Sequence, residues 1–275
     1  MTRTQRRQIS RDFQRLQSQI ERRYVRKIFN ALRRQLNKAA EDVKFFGIEF
    51  AIRRNRVISL DGAMMSTIKD MHVFTGLTVA NRTLRELRRH NPKKMANLGF
   101  NEKWTQMIID YFNLHLLESV TSIDETTRKF ILKTLEQGFR ELWSTEEIVK
   151  ALNDRLYMAN RAAKIVRTES TRAAGHGVLT GAGEYDYEVV KEWISIPDNR
   201  RRHSHANVEG EQRDLDKPFS NGLMFPGDPE GPADETIFCR CTMAVVPKRN
   251  EQGQLIPKKP ARIPRVGAAA QPIPV

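Results

Sequence analysis

The stretch DNRRRHSHANVEG, Asp198 to Gly210, puts an acid, three arginines and two histidines into consecutive positions, and further on Cys239-Arg240-Cys241 holds the chain's two cysteines. These residue types support three kinds of chemistry. Histidines and carboxylates converging on an ion could activate water for hydrolysis, with Asp198, His203, His205 and Asp228 as the candidates. Two thiolates and two imidazoles are a ligand set that zinc accepts in a tetrahedron, which nominates Cys239, Cys241, His203 and His205. Arg200, Arg201 and Arg202 could serve as charge-assisted donors to phosphate oxygens. A structural reading stands beside all three. Asp198 then pairs with an arginine, a histidine donates to a backbone carbonyl, and the thiols act as small buried hydrophobes. The sequence lacks a G-x-S-x-G, P-loop, HExxH or Rossmann fingerprint, and no nucleophile and base are recognisably paired. A non-enzyme that requires no cofactor is therefore the expectation. Core thiols are favoured, with a structural zinc as the alternative.

The elements that must position these residues follow from local pattern. YEVVKEWISIP alternates, is rich in β-branched and aromatic residues, and reads as a strand ended by Pro197. IFCRCTMAVV reads as a second strand, in which Ile237, Cys239, Cys241, Met243 and Val245 share one face while Phe238 and Arg240 point the other way. A disulfide between strand residues i and i+2 would be strained, since their Cα atoms sit about 6.5–7 Å apart. Reduced thiols are expected. Between the strands, KPFSNGLMFPGDPEGPADE is dense in turn signals, and so long a loop is usually functional or mobile.

Everything before about residue 180 reads as helical. Phe13, Leu16, Ile20, Tyr24, Ile28, Leu32 and Leu36 recur at steps of three and four along one face of a long helix. The opposite face carries Arg3, Arg6, Arg7, Arg11, Arg15, Arg22, Arg23, Arg26, Lys27, Arg33 and Arg34, against Asp12 and Glu21. One sign over so long a face exceeds what solvation requires and points to a polyanion. Arg22, Arg23 and Arg26 are candidate phosphate contacts, with no pattern that would read bases. Trp104, Ile108, Phe112, Leu116 and Val120 repeat at steps of four, and Ile131, Leu135, Phe139 and Leu142 form another stripe. Ser144 and Glu147 of STEE make a capping box before Ile148, Leu152 and Leu156. A further helix carries RAAKIVRTESTRAAGHGVL and ends near GHG or TGAGE. Within it, Arg167 and Glu169 could form a buried pair, sit at an interface, or belong to a solvated face. The remaining histidines, His72, His90, His115 and His176, carry no ligand spacing.

The formal net charge is +14 with a pI near 10.0, a bias that attracts nucleic acid, anionic membrane or acidic protein. Nothing at the start resembles a signal peptide, and no apolar run approaches the roughly 20 residues that span a bilayer. A soluble protein made inside the cell is expected. From Pro247 the chain turns proline-rich and basic, with Pro257, Pro260, Pro264, Pro272 and Pro274 among Lys248, Arg249, Lys258, Lys259, Arg262 and Arg265. Such a segment is expected to be extended or disordered. The fold class expected is α+β. A basic, mainly helical region spans 1–143. A small α+β module with a short sheet and long loops spans 144–247, and a Pro-rich tail spans 248–275.

The order of these motifs resembles a known family. A helix with RTEST comes first, then KEWIS followed by Asp198, Arg200, Arg202, His205 and Gly210. PF, PGDP and Ala233-Asp234-Glu235 come next, and CRC closes the series. This is similar to the phage Mu F-like minor head proteins, the phage head morphogenesis domain, across roughly residues 140 to 247. The family usually has a polar residue, often asparagine, before CRC, where this chain has Phe238.

The resemblance implies that Arg167, Glu169, Trp193, Asp198, Arg200, Arg202, His205, Gly210, Pro226, Gly227, Asp228, Cys239 and Cys241 keep structural roles. It also implies a non-enzymatic virion component of a tailed bacteriophage, present in few copies inside the capsid near the portal vertex. Such a component would be made in the bacterial host cytoplasm and act in head assembly and in DNA packaging or ejection. Its partners would be the portal protein, major capsid or scaffold proteins, and double-stranded DNA held without sequence preference. Some relatives carry the module fused to toxin domains. Two alternatives remain: a metal-dependent hydrolase or nuclease using His203, His205 and Asp198, and a nucleic-acid-binding protein outside any particle.

Overall fold

The computed structural model describes residues 1–57, 62–91 and 102–258. Helix α1 (Arg3–Phe46) opens with a capping box between Thr2 and Gln5 and runs unbroken until Gly47, whose φ of 81° ends it. Its apolar stripe is the expected one: Phe13, Ile20, Tyr24, Ile28, Leu32 and Leu36 are buried, with Leu16 packed beside them. Helix α2 (Ile48–Val57) folds back beside it, and α3 (Ala63–Arg88) and α7 (Arg155–Gly183) pack on its inner face. The α3–α7 crossing is unusually close. A Cβ at Gly177 would stand 2.6 Å from the Gly76 carbonyl oxygen, and one at Gly181 would stand 2.3 Å from that of Ala80. Only glycine permits backbone on backbone here.

Helix α4 (Glu102–Tyr111) passes through a wide turn at Phe112–Leu116 into α5 (Leu117–Arg140). The wide turn explains the strict step of four. A 3.6-residue helix would rotate that stripe away, and one turn of i→i+5 bonding restores it. Trp104, Ile108, Phe112 and Val120 are accordingly buried; the Leu116 side chain lies outside the described part. The next stripe holds only in part. Ile131 and Leu135 are buried, but Phe139 is half exposed and Leu142 is fully exposed. Leu142 has φ of 54°, a left-handed residue that turns the chain out of α5 rather than extending its apolar face. Helix α6 (Thr145–Leu152) has the expected Ser144–Glu147 capping box. Leu156, expected on its stripe, instead starts α7 and points to solvent, because Asp154 caps α7 and breaks the periodicity.

The sheet is antiparallel, in the order β2–β1–β3, with β1 at Val189–Ile194, β2 at Gln212–Asp214 and β3 at Thr242–Pro247. Two short helices flank it, α8 (His203–Asn207) and α9 (Ala233–Thr236). The α+β class is as expected. The second strand is shorter than its alternation implied: residues 237–241 are not strand, and Phe238 adopts a left-handed φ of 60°. The long loop is well packed. Phe219, Leu223 and Phe225 join the two thiols, Trp193 and Met243 in one buried cluster beneath α7, and Asp228 is buried as well. The start of the tail is also folded, against expectation. Arg249 bridges to Leu255, and the Lys258 Nζ donates to the carbonyls of Ala182 and Gly183 at the end of α7. The rest of the tail, with Lys259, Pro260, Arg262, Pro264, Arg265, Pro272 and Pro274, lies outside the described residues.

Candidate functional site

The RTEST segment of α7 is the structural hub of the molecule. Glu169 is almost fully buried; its Oε2 lies 3.0 Å from His72 Nε2 on α3, and its Oε1 accepts from Arg172 at 2.7 Å. Arg172 Nε in turn donates to the Gly227 carbonyl at 3.2 Å. Thr171 accepts from Gln17 of α1 at 2.9 Å and donates to the Cys239 carbonyl at 3.0 Å, while Thr168 accepts from the Phe238 amide at 2.9 Å. Arg167 pairs with Glu21 of α1 at 2.6 Å. This short segment of α7 thus fastens α1, α3, the PGD loop and the CRC segment to each other. Arg167 and Glu169 do not pair with each other: Glu169 is buried against His72 and Arg172, whereas half-buried Arg167 pairs with Glu21 of α1. His72, to which the sequence assigned no chemistry, is thus part of the Glu169 network.

Beneath that hub the two cysteines and one histidine converge. Among the described residues, His205, Cys239 and Cys241 are the group whose ligand atoms all lie within 4.8 Å of one another, and all three are buried. His205 Nδ1 stands 3.7 Å from Cys239 Sγ and 3.4 Å from Cys241 Sγ. Its Nε2 lies 2.9 Å from Glu235 Oε2, which also accepts from the Ser204 hydroxyl at 2.7 Å. Both thiols are free. The Cys239 thiol is held well below the ordinary value by the Cys241 thiol that donates to it, by His205 and by the Cys241 amide, with burial opposing. Donating that hydrogen bond and being buried pushes Cys241 the other way. The Trp193 ring closes the cluster edge-on to His205 at 5.2 Å.

The other nominated residues disperse. His203 is exposed and contacts Asn207 at 3.3 Å, away from the thiols, because two helical positions, about 200° around the axis, separate it from the inward face that carries His205. Asp198 is gripped by both Arg240 nitrogens at 2.6 and 2.7 Å, which lowers its pKa. Asp228 caps the amides of Met224 and Glu230. Asp198, His203, His205 and Asp228 therefore do not form the hydrolytic constellation. Arg202 donates to the Ile237 carbonyl at 2.6 Å and Arg201 to the Ser195 hydroxyl at 3.1 Å, while the Arg200 side chain is exposed. Arg22, Arg23 and Arg26 are exposed on α1, and Arg23 also stacks on Phe74 at 4.1 Å. Arg201 meets Arg3, Arg6, Arg7 and Arg11 around one cavity of about 410 Å³, with Glu209 at its wall.

Residues 129–244 match the family model described as phage Mu protein F like protein. That stretch is similar to the Mu F family. A segment of 111 residues is 29% identical to the NAD(+)-arginine ADP-ribosyltransferase EFV of Enterococcus faecalis, covering 38% of this chain and 23% of that protein. The chain thus spans under a quarter of that relative's length. No solved structure matches it. The transferase-named relative does not establish activity here. No helix of the described residues is long and apolar enough to cross a membrane.

Several family positions gain a physical reason. Gly210 of the Mu F-like module has φ of 76°, and a Cβ there would stand 3.0 Å from the Arg6 guanidinium. Arg6 docks α1 on the sheet through buried Glu192 at 3.0 Å and Glu209 at 3.3 Å. The residue before CRC is left-handed, a conformation that asparagine tolerates better than most side chains. Phe238 keeps the conformation in this chain, with the Arg167 guanidinium 4.9 Å above its ring.

Sequence reasoning missed Lys191 and Glu192, both fully buried. Lys191 donates to the carbonyls of Leu215 and Met224 at 3.1 and 2.8 Å, and burial lowers its pKa to about 8. A charged pair inside an otherwise apolar strand, VVKEWI, was the available signal.

Proposed function

We propose that this chain is a minor head component of a tailed phage, seated inside the capsid near the portal vertex. There it acts in head assembly and in DNA packaging or delivery while touching DNA without sequence preference. The observation that carries the reading is the division of charge. The polar motif of the Mu F-like module goes into internal bonds, while α1 turns a long face of exposed bases outward, extended by Arg201 around the basic cavity. Such a face neutralises backbone phosphates and reads no bases. A protein partner such as the portal would gain most at the far end of α1, where Phe45, Phe46 and Phe50 are exposed and in ring contact with one another.

Particles assembled with and without the chain test the reading. The chain is expected to co-sediment with purified heads, and Phe45→Ser/Phe46→Ser/Phe50→Ser is expected to lower its incorporation while leaving the isolated protein folded. Absence of the wild-type chain from the particles would remove the reading and leave a nucleic-acid-binding protein acting elsewhere.

A further inference from the structure

The histidine–cysteine cluster has an arrangement that hydrogen bonding alone accounts for poorly. Glu235 Oε2, held by Ser204, stands 2.9 Å from His205 Nε2 but off the line of a hydrogen bond to it. The other ring nitrogen, Nδ1, stands beside two sulfurs at nearly equal distances of 3.4 and 3.7 Å. Tetrahedral zinc, with Zn–S of about 2.3 Å and Zn–N of about 2.0–2.1 Å, separates a nitrogen from a sulfur ligand by about 3.6 Å. Both observed separations fall beside that value. A carboxylate behind a ligating histidine is, in addition, the usual outer partner that orients the ring and raises its basicity.

Charge and surroundings point the same way. Two thiolates and one divalent cation sum to zero, so the ion can be buried among Trp193, Phe219 and Met243 without an uncompensated charge. The Cys241 amide reaches the Cys239 sulfur at 3.4 Å, and the Trp193 indole N–H, in the same cluster, is buried with no hydrogen-bond partner. Both are donors placed to support metal-bound thiolates. The three ligands come from two separate elements, His205 from α8 and both cysteines from the segment leading into β3, so an ion would fasten those two elements together.

We propose that His205 Nδ1, Cys239 Sγ and Cys241 Sγ bind one thiophilic divalent cation of the zinc type, with water in the fourth position and Glu235 as the orienting carboxylate. On binding, each thiol loses its proton to solvent as its sulfur bonds the ion, and no oxidant or reductant is involved. The site is independent of the proposed role in a phage head.

Metal analysis of the full-length, tag-free chain, followed by chelator stripping and titration with Co²⁺, tests this. The expected result is close to one zinc per chain as purified. Added Co²⁺ should give the intense visible bands of a tetrahedral site together with thiolate-to-cobalt charge transfer. Cys239→Ser, Cys241→Ser and His205→Ala should abolish the charge-transfer signal or cut it deeply. His203→Ala should bind as the wild type does. Glu235→Gln should keep the spectrum but weaken affinity by about 10- to 100-fold. Folded wild-type chain that gives no charge-transfer band with Co²⁺ would overturn the proposal, whatever the variants do. Zinc content unchanged in a Cys239→Ser/Cys241→Ser double variant would overturn it equally.

Discussion

Helices α1 and α7 pack against each other in the same core and are both rich in ionisable residues, yet they use charge in opposite ways. On α1 the bases at Arg7, Arg11, Arg15, Arg22 and Arg26 face solvent. On α7, Glu169 and Arg172 are buried and bonded to groups from α3 and the PGD loop. A hydrated charge contributes little to stability and keeps its full capacity to attract a polyanion. A buried one is tolerated only with a complete set of partners, and it then specifies how the elements dock. Charge density along a helix therefore says nothing about role. Role depends on whether other elements bring partners to that face.

The strongest way to break this comparison is Glu169→Ala. It leaves Arg172 and His72 buried without their shared carboxylate, and truncating one member of a buried ionic network typically costs about 3–5 kcal/mol. Urea unfolding should show a loss of that order. A loss below about 1 kcal/mol would mean that the network is solvated in solution and that α7 resembles α1 after all.

His176, also on α7, sharpens the comparison because it is partly buried and stacked on Tyr111 at 3.8 Å. Burial first, then the charges of His72 and His115, lowers its pKa from 6.5 to about 4. Between those values the unfolded chain takes up a proton that the folded chain refuses. Stability should therefore fall as pH drops from 6.5 towards 4, by up to about 3 kcal/mol. His176→Phe should flatten that part of the pH–stability curve, and an unchanged slope would assign the acid sensitivity to other groups.

The smallest stability effect belongs to α1. Arg22→Glu/Arg23→Glu/Arg26→Glu should change unfolding free energy by only about 1 kcal/mol, most of it from the Arg23–Phe74 stack. DNA binding measured across salt concentrations should weaken clearly at low salt. The slope of log affinity against log salt should shrink by about 1 for each phosphate that the variant no longer neutralises. A variant that binds DNA like the wild type would move the polyanion-binding surface off this face.

Much of the helical half was legible because its signals are local. The α1 stripe, the Ser144–Glu147 capping box and the glycine-terminated end of α7 depend on neighbours within a turn or two. Leu142 and Leu156 went wrong where a left-handed residue and the Asp154 cap reset the periodicity, and residues 237–241 left the strand where Phe238 turns. The order of RTEST, KEWIS and CRC was readable as a family signature, but not the bonds that join those motifs.

Sequence alone therefore determined that the first 180 or so residues are mainly helical, the apolar stripe of α1, and that one long face is basic, since these follow from 3.6-residue geometry and side-chain chemistry. Only the tertiary structure decided that His205 rather than His203 meets the thiols, that His72 reaches Glu169 across 97 positions, and that Arg201 joins the basic cavity of α1. Such meetings depend on how whole elements dock, and docking is set by packing among residues far apart in the chain.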